Sequence, residues 1–361
     1  TAGDVVAIKD YANTFDTNAV TLVQNGSDKI GGSTTNASLS TEGLAVTLVF
    51  VDSTQGWLVT DNGTQDTAPT AEYVTATGGT PTTSPCGDYK IHTFTGPGAL
   101  CVSAAGNAAG STVLEYIVVA GGGGADGNTG NTRGGGGGGG FRFASPSLAP
   151  LCYPGKPLAA PAGITAAVQS YPIVVGGGGN NSATQGSDSS GLSITSTGGG
   201  RDAGNGGSGG GGAGGSLNNP GGTGNTPPVS PPQGNNGGTS STGSPDHASG
   251  GGGGAVAVGT NGAPPASGTG GDGAGMPTGF GANGVPCGSF RYYAGGGGGG
   301  GNIPTSLPAG AGGKGGGGAG SQTTSTAGTV NSGGGSGGGG GGGPGNSGGP
   351  GIVIIRYKFQ N

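Results

Sequence analysis

Charged side chains are scarce in this sequence. Eleven Lys or Arg and 16 Asp or Glu stand among 361 residues, 7 % of the chain, for a net charge of −5. Cations spread that thinly make no basic stripe, which excludes an electrostatic nucleic-acid surface. So few charges also exclude the self-repelling kind of disordered tail. Apolar residues make up 30 % and aromatics 5 %, so any side-chain core is expected to be small. No apolar run approaches the ~18–20 residues a membrane helix needs. The first residue is Thr1 and no secretory leader is visible, so the start reads as processed, trimmed or unobserved.

Metal ligands and catalytic sets are lacking too. The two histidines, His92 and His247, cannot be matched to a nucleophile and a carboxylate at any motif spacing. The four cysteines, Cys86, Cys101, Cys152 and Cys287, show no CxxC spacing, so no metal site is expected. Their even number in a Thr/Ser/Asn-rich chain points to disulfides and an extracellular or particle-exposed setting; four buried thiols are the other reading. Asp126, Asp188, Asp202, Asp246 and Asp272 lie in polar stretches and read as solvated turn residues. Gly-x-Gly-x-x-Gly recurs by composition alone, with no strand–turn–helix around it. No paired carboxylates suggest a glycosidase. The expectation is a protein that is not an enzyme and uses no cofactor.

Glycine is what the chain has. One hundred glycines concentrate in residues 121–350, in runs such as Gly134–Gly140, Gly295–Gly301 and Gly337–Gly343. Glycine has the highest backbone entropy cost and no side chain to bury, so the tract is either disordered or ordered by backbone packing alone. Collagen is excluded, because there is no Gly-X-Y period. Polyglycine can take the polyproline II shape, with three residues per turn and ~3.1 Å per residue, whose outward N–H and C=O groups pair only with neighbouring rods. A buried unpaired amide is costly, so such a bundle forms as a whole or not at all. Asn218-Asn219-Pro220, Pro227–Pro232 and Ser244-Pro245-Asp246 suit reversals between short rods. The expected period of three is broken in places: Ala311 and Lys314 are three apart, but Ala319 follows five later. A flexible linker is the competing reading.

The rest reads as β-structure. Residues 1–66 form a small β-domain, with strands at Val5–Ile8, Ala19–Val23, Leu44–Val51 and Gly56–Val59, and Trp57 plugging its core. Residues 67–85 are a Thr/Pro-rich linker with an extended strand at the apolar patch Tyr73-Val74, stiffened by Pro69, Pro81 and Pro85. Tyr89–Phe94, a Thr95–Gly98 turn and Leu100–Val102 suggest a hairpin. Val113–Val119 enters the glycine tract and Ile352–Phe359 leaves it; both are apolar on both faces and are expected to pair in one small sandwich. Tyr171–Val175 is a third strand of this set and Ala255–Val258 a weaker fourth.

The pattern from Ala2-Gly3-Asp4 through Asn25-Gly26-Ser27 to Gly56-Trp57-Leu58-Val59 resembles a small β module of phage tail-fibre and virion-fibre proteins. That module usually has one more strand before Ala2, which a longer chain or a neighbouring subunit would supply. Tyr89 to Gly96, then Tyr116 to Gly124, then Gly351 to Tyr357 is similar to the glycine-rich domain at the distal end of many phage fibres. It is more loosely similar to the glycine-rich ectodomain of anaplastic lymphoma kinase. The resemblance implies an all-β fold with essentially no α-helix: a TNF-like β-sandwich, formed by 86–120 and 351–361, carrying an inserted bundle of polyglycine II helices over 121–350. It implies a structural, adhesive role at the tip of a phage tail or virion fibre, usually homotrimeric. The partners would be other fibre or tail proteins and a host surface glycan or outer-membrane protein, with no nucleic acid and no membrane insertion. A self-assembling subunit of an extracellular filament is the alternative. An ice- or crystal-binding face is disfavoured by irregular Thr spacing.

Two aromatic clusters stand out among the glycines: Phe141-Arg142-Phe143, with Tyr153 beyond, and Phe290-Arg291-Tyr292-Tyr293. Such residues supply much binding energy and are candidates for receptor contact; capping the bundle or packing on the sandwich is the competing role. Cys152 lies near the first cluster and Cys287 near the second, so a bridge between them would join both; Cys86 and Cys101 flank the hairpin turn.

Overall fold

The computed structural model describes residues 1–64, 71–126, 132–182, 184–215, 218–242, 247–303, 305–340 and 345–360. The Pro69 and Ser244-Pro245-Asp246 expectations lie outside them, as do Gly341–Gly343. Named strands pair antiparallel throughout, and the only helical elements among the described residues are two short 3-10 turns. The chain divides into two compact units, Thr1–Ala71 and Glu72–Asn361.

In the first unit, β1 (Val5–Lys9), β2 (Val20–Leu22), β3 (Ala37–Leu39), β4 (Leu44–Asp52) and β5 (Gly56–Thr64) form sheets of order β1-β4-β5 and β2-β3. Alternation along β4 turns Val46 and Leu48 inward to meet Leu39, with Ile8, Phe15 and Trp57 packed around them. The buried Asp10 carboxylate accepts the amides of Thr14, Phe15 and Gly43, each at 3.0 Å, and so ties the loop after β1 to the start of β4.

The second unit contains β6 (Val74–Thr77), β7 (Thr80–Thr83), β8 (Tyr89–Phe94), β9 (Gly98–Ala105), β10 (Val113–Val119), β11 (Phe141–Ala144), β12 (Ile164–Thr165), β13 (Ser170–Ile173), β14 (Ser189–Gly191), β15 (Ile194–Ser196), β16 (Ala274–Pro277), β17 (Val285–Cys287), β18 (Phe290–Tyr293) and β19 (Ile352–Lys358). The main sheet has the order β11-β10-β19-β8-β7, with β12 also on β10. The two strands that bound the glycine tract, β10 and β19, are therefore direct neighbours. Their period of two splits the apolar residues between both faces. Leu114, Tyr116, Val118, Val353, Ile355 and Tyr357 pack with Leu100, Val102, Tyr171 and Ile173 of the facing β13-β9-β6 sheet. Ile117, Val119, Ile352 and Ile354 face the opposite way, against Phe141, Phe143, Met276, Phe280 and Tyr293.

Three strand expectations are corrected. The Tyr89–Val102 segment is not a hairpin: both edges of β8 are taken by β19 and β7, so β9 crosses to the other layer. From Val74 on, the 67–85 linker is the strands β6 and β7; Pro81 is accommodated because β7 is an edge strand. Ala255–Val258 is not a strand but the end of a glycine rod, where Ala255 is fully buried against backbone and Gly254 N–H closes a turn on Ala257 O.

Between β10 and β19 the glycine runs are ordered by backbone pairing. Along residues 120–125, Ala120 and Gly123 donate to Gly140 and Gly137, Gly121 and Gly124 to Ser187 and Thr184, and Gly122 and Ala125 to Gly349 and Asn346, all at 2.8–3.2 Å. Every third amide goes to the same neighbour, and that neighbour is met at every third carbonyl. Rod 133–140 repeats the pattern. Gly137 and Gly140 donate to Gly200 and Thr197, Gly135 and Gly138 to Gly250 and Gly253, and Gly136 and Gly139 to Ser336 and Gly333. Its carbonyls accept from Gly123, Ser208 and Gly297 on further rods. Rod 133–140 thus sits inside a ring formed by segments 120–125, 197–202, 207–214, 250–255, 294–301 and 333–339. A strand pairs with two neighbours in a plane; these rods pair all round. A methyl group on almost any rod glycine would overlap a neighbouring carbonyl, as at Gly135, Gly136 and Gly297, which is why side chains are nearly excluded from the interior. Most side chains that do enter are small, and Ser208, Ser249, Ala255 and Ser336 are fully buried; Gln233, also fully buried, accepts Thr197 N–H on its Oε1 at 2.8 Å.

Candidate functional site

The rods rise directly out of β10, β15 and β18 and run back into β11, β16 and β19. Aromatic side chains concentrate at this junction. Phe141 lies 5.5 Å from Phe143 and 6.1 Å from Tyr293, and Phe143 lies 6.2 Å from Tyr153. Phe141, Phe143, Tyr153 and Tyr293 are buried, so these candidate contact residues are corrected to core. These rings pack with Ile91, Leu148, Met276, Phe280, Ile352 and Ile354 in one apolar cluster. Tyr292 is also buried. Arg142, Phe290 and Arg291 are half-buried, and Arg142 donates to Thr195 O at 3.3 Å. The two clusters do come together, but inside the protein.

The cysteine expectation is also corrected: Cys86, Cys101, Cys152 and Cys287 are all free and exposed, neither bridged nor buried. Cys86 Sγ lies 3.0 Å from Ser84 Oγ, and that hydrogen bond lowers its thiol from the usual range. His92 is buried, its ring nitrogens 2.6 Å from Gly78 O and 3.0 Å from Tyr357 Oη; burial pulls its pKa down, as suits a structural, neutral imidazole. No three His, Cys, Asp or Glu side chains among the described residues group as metal ligands do.

Two charged clusters escaped the sequence reading. Glu115 and Arg356 are opposite residues on β10 and β19 and form a buried ion pair at 2.6 Å. The other Glu115 oxygen accepts from Ser147 N (3.0 Å) and Ser147 Oγ (2.7 Å), and the guanidinium lies 3.6 Å from the Tyr89 ring centroid. Nearby, burial pushes the Tyr153 phenol up to about 12, Glu115 adding to the effect. Each charge sat inside an apolar strand, and only their cross-strand register makes them a pair.

The second cluster lies at the end of the bundle away from the sheets. Asp202 Oδ1 accepts Gly134 N–H at 3.2 Å, taking the place of a rod carbonyl. Arg133 reaches Asp202 and Asp126, both at 3.8 Å. Burial raises the Asp202 carboxyl to about 7, the Arg133 charge and the Gly134 amide only partly opposing it. Beside these groups a notch of about 350 Å³ is lined by Arg133, Arg201, Asp202, Ala203, Asn219 and Pro220. Asp202, read from sequence as a solvated turn residue, is one of the best-buried carboxylates in the unit. In the first unit a wider cleft of about 450 Å³ runs between β1 and β2, walled by Val6, Ile8, Leu22, Val23, Ile30 and Trp57.

A glycine-rich domain family matches residues 102–358. None of the curated proteins matches the chain.

Proposed function

The chain belongs to the glycine-rich domain family, and on that premise we propose that it is a non-enzymatic structural and adhesive protein, the distal receptor-binding part of a phage tail or virion fibre. In this reading the rods are polyglycine II helices and the two facing sheets a TNF-like sandwich. The observation that carries it is the three-residue pairing period, with rods that leave the sheets at one end and turn round in polar loops at the other. Loops held by such a bundle are pre-organised and lose little entropy on contact. The partners are further copies of the chain, in a homotrimer, other fibre or tail proteins, and a glycan or outer-membrane protein of the host.

A second reading, the self-assembling filament subunit, is supported by β1. It is an edge strand whose Val5 and Val6 are 60 % and 43 % exposed beside the apolar cleft, the situation in which a neighbour can add a strand. Imaging native particles with an antibody against this chain separates the two. Label at closed three-fold fibre tips is the expected result; label repeating along an open helical filament would move the assignment to the second reading.

A further inference from the structure

The notch beside Asp202 has a cationic lining. Its charged side chains are Arg133, Arg201 and Asp202, while Ala203, Ala213, Asn219 and Pro220 carry no charge. Arg201 is exposed and has no carboxylate partner among the described residues. The Arg133 side chain is 20 % exposed, and its terminal nitrogens stand 3.8 Å from Asp126 and Asp202, beyond hydrogen-bond reach. Those nitrogens keep N–H groups to give; the sealed-off Nε meets no ligand. Asp202 counts for less than a full negative charge near neutrality, because burial raises its carboxyl to about 7. Two guanidinium charges less a part-protonated carboxylate leave the lining a positive surplus of more than one charge. A carboxylate offsets that surplus, and its two oxygens match the planar N–H fork of an arginine. A dianion fits less well, because Asp126 stands just behind Arg133, off the lining, and a second negative charge would meet no free cation. The volume, about 350 Å³, is near the lower end of the ~300–1,000 Å³ of small-molecule pockets, room for one ring rather than a chain.

We propose that this notch binds the carboxylate group of a ligand one ring in size. The site goes beyond the adhesive reading and does not depend on it: particle imaging can place the chain elsewhere while a carboxylate still binds. An anion beside Asp202 favours its protonated form. Arg133 and Arg201 face Asp202, with Asp126 beyond Arg133 and Gly134 N–H on Oδ1; His247, on a neighbouring segment, is turned to Gly215 O at 3.0 Å. Both arginines stay charged, so affinity is full below the Asp202 transition and falls as pH rises through it.

The test titrates the full chain with methyl glucuronide, methyl glucoside, cyclohexanecarboxylate and inorganic phosphate, read by calorimetry and saturation-transfer NMR. Titrations are run at about pH 5.5 and 8.5, either side of the Asp202 transition. At the lower pH the glucuronide is expected to bind with millimolar affinity, roughly tenfold or more tighter than the uncharged glucoside, and to lose roughly tenfold at the higher pH. Arg201→Gln is expected to weaken it roughly tenfold, the loss of one charge-assisted hydrogen bond. Asp202→Asn keeps an oxygen for Gly134 N–H and is expected to bind at the higher pH as tightly as the wild type does at the lower, a gain that damaged folding cannot produce. A glucuronide that binds tighter than cyclohexanecarboxylate makes the natural ligand an acidic sugar; the reverse order makes it a non-sugar acid, and both outcomes support the carboxylate site. Equal affinity for glucoside and glucuronide, tighter binding of phosphate, indifference to Arg201→Gln, a pH response that persists in Asp202→Asn, or no binding at all would overturn the proposal.

Discussion

Gly136→Ala is expected to lower the unfolding free energy of the second unit by at least about 4 kcal/mol, a cost that single substitutions reach only by disrupting a core. A Cβ at Gly136 would overlap the carbonyl of Gly123 and crowd the amide of Ser336. Both obstacles are backbone on other rods, so no side chain can swing aside. Relief requires two rods to part, and parting them strands amides that have no other partner in the lattice. Gly177→Ala is the control. Gly177 lies on an outer rod, is exposed and has nothing within 4 Å of where its Cβ would stand. That substitution is expected to be neutral or to stabilise by up to ~1 kcal/mol, because alanine narrows the unfolded ensemble. Denaturant midpoints of the two variants check the contrast. Equal shifts would mean that the rods are loosely packed.

Arg356→Met is expected to cost ~3–5 kcal/mol, because it leaves the Glu115 carboxylate buried without its cation. The methionine fills much of the guanidinium's space, so packing loss is secondary. Adding Glu115→Gln is expected to restore most of the loss: an amide oxygen still accepts from Ser147 N and Oγ, and no charge stays buried. Equilibrium unfolding of the wild type, both single variants and the double variant measures the coupling. A single variant within about 1 kcal/mol of wild type would show that the pair is solvated, as surface pairs are.

Much of this was legible in the sequence where the side chains themselves carry the pattern. Val113–Val119 and Ile352–Lys358 show apolar residues on both faces, and they became the paired central strands with a core on either side. The break in rod period was legible only afterwards. Ala311 and Lys314 lie on one rod and Ala319 on the next, and the chain reverses between them at Gly315 and Gly316, both at positive φ. Each rod keeps its own count of three, so a period measured across a reversal fails. The aromatic clusters were misread for a related reason. Low apolar content suggested too little core to cover Phe141, Phe143 and Tyr293, but the fold gathers Ile91, Ile117, Val119, Leu148, Met276, Phe280, Ile352 and Ile354 around them. Nor could the sequence show that Asp202, in a Gly-rich loop, replaces a carbonyl in the lattice; that depends on which rods become neighbours.

Amide hydrogen exchange, resolved along the glycine runs, tests the central claim that rod-to-rod amide pairing holds the tract rigid. The interior amides of 121–124, 135–140 and 295–299 all donate to neighbouring rods. They are expected to exchange at least roughly a thousandfold more slowly than unstructured glycine, the factor that ~4 kcal/mol of opening free energy imposes. Exchange of all three segments at the rate of an unstructured chain would contradict the account.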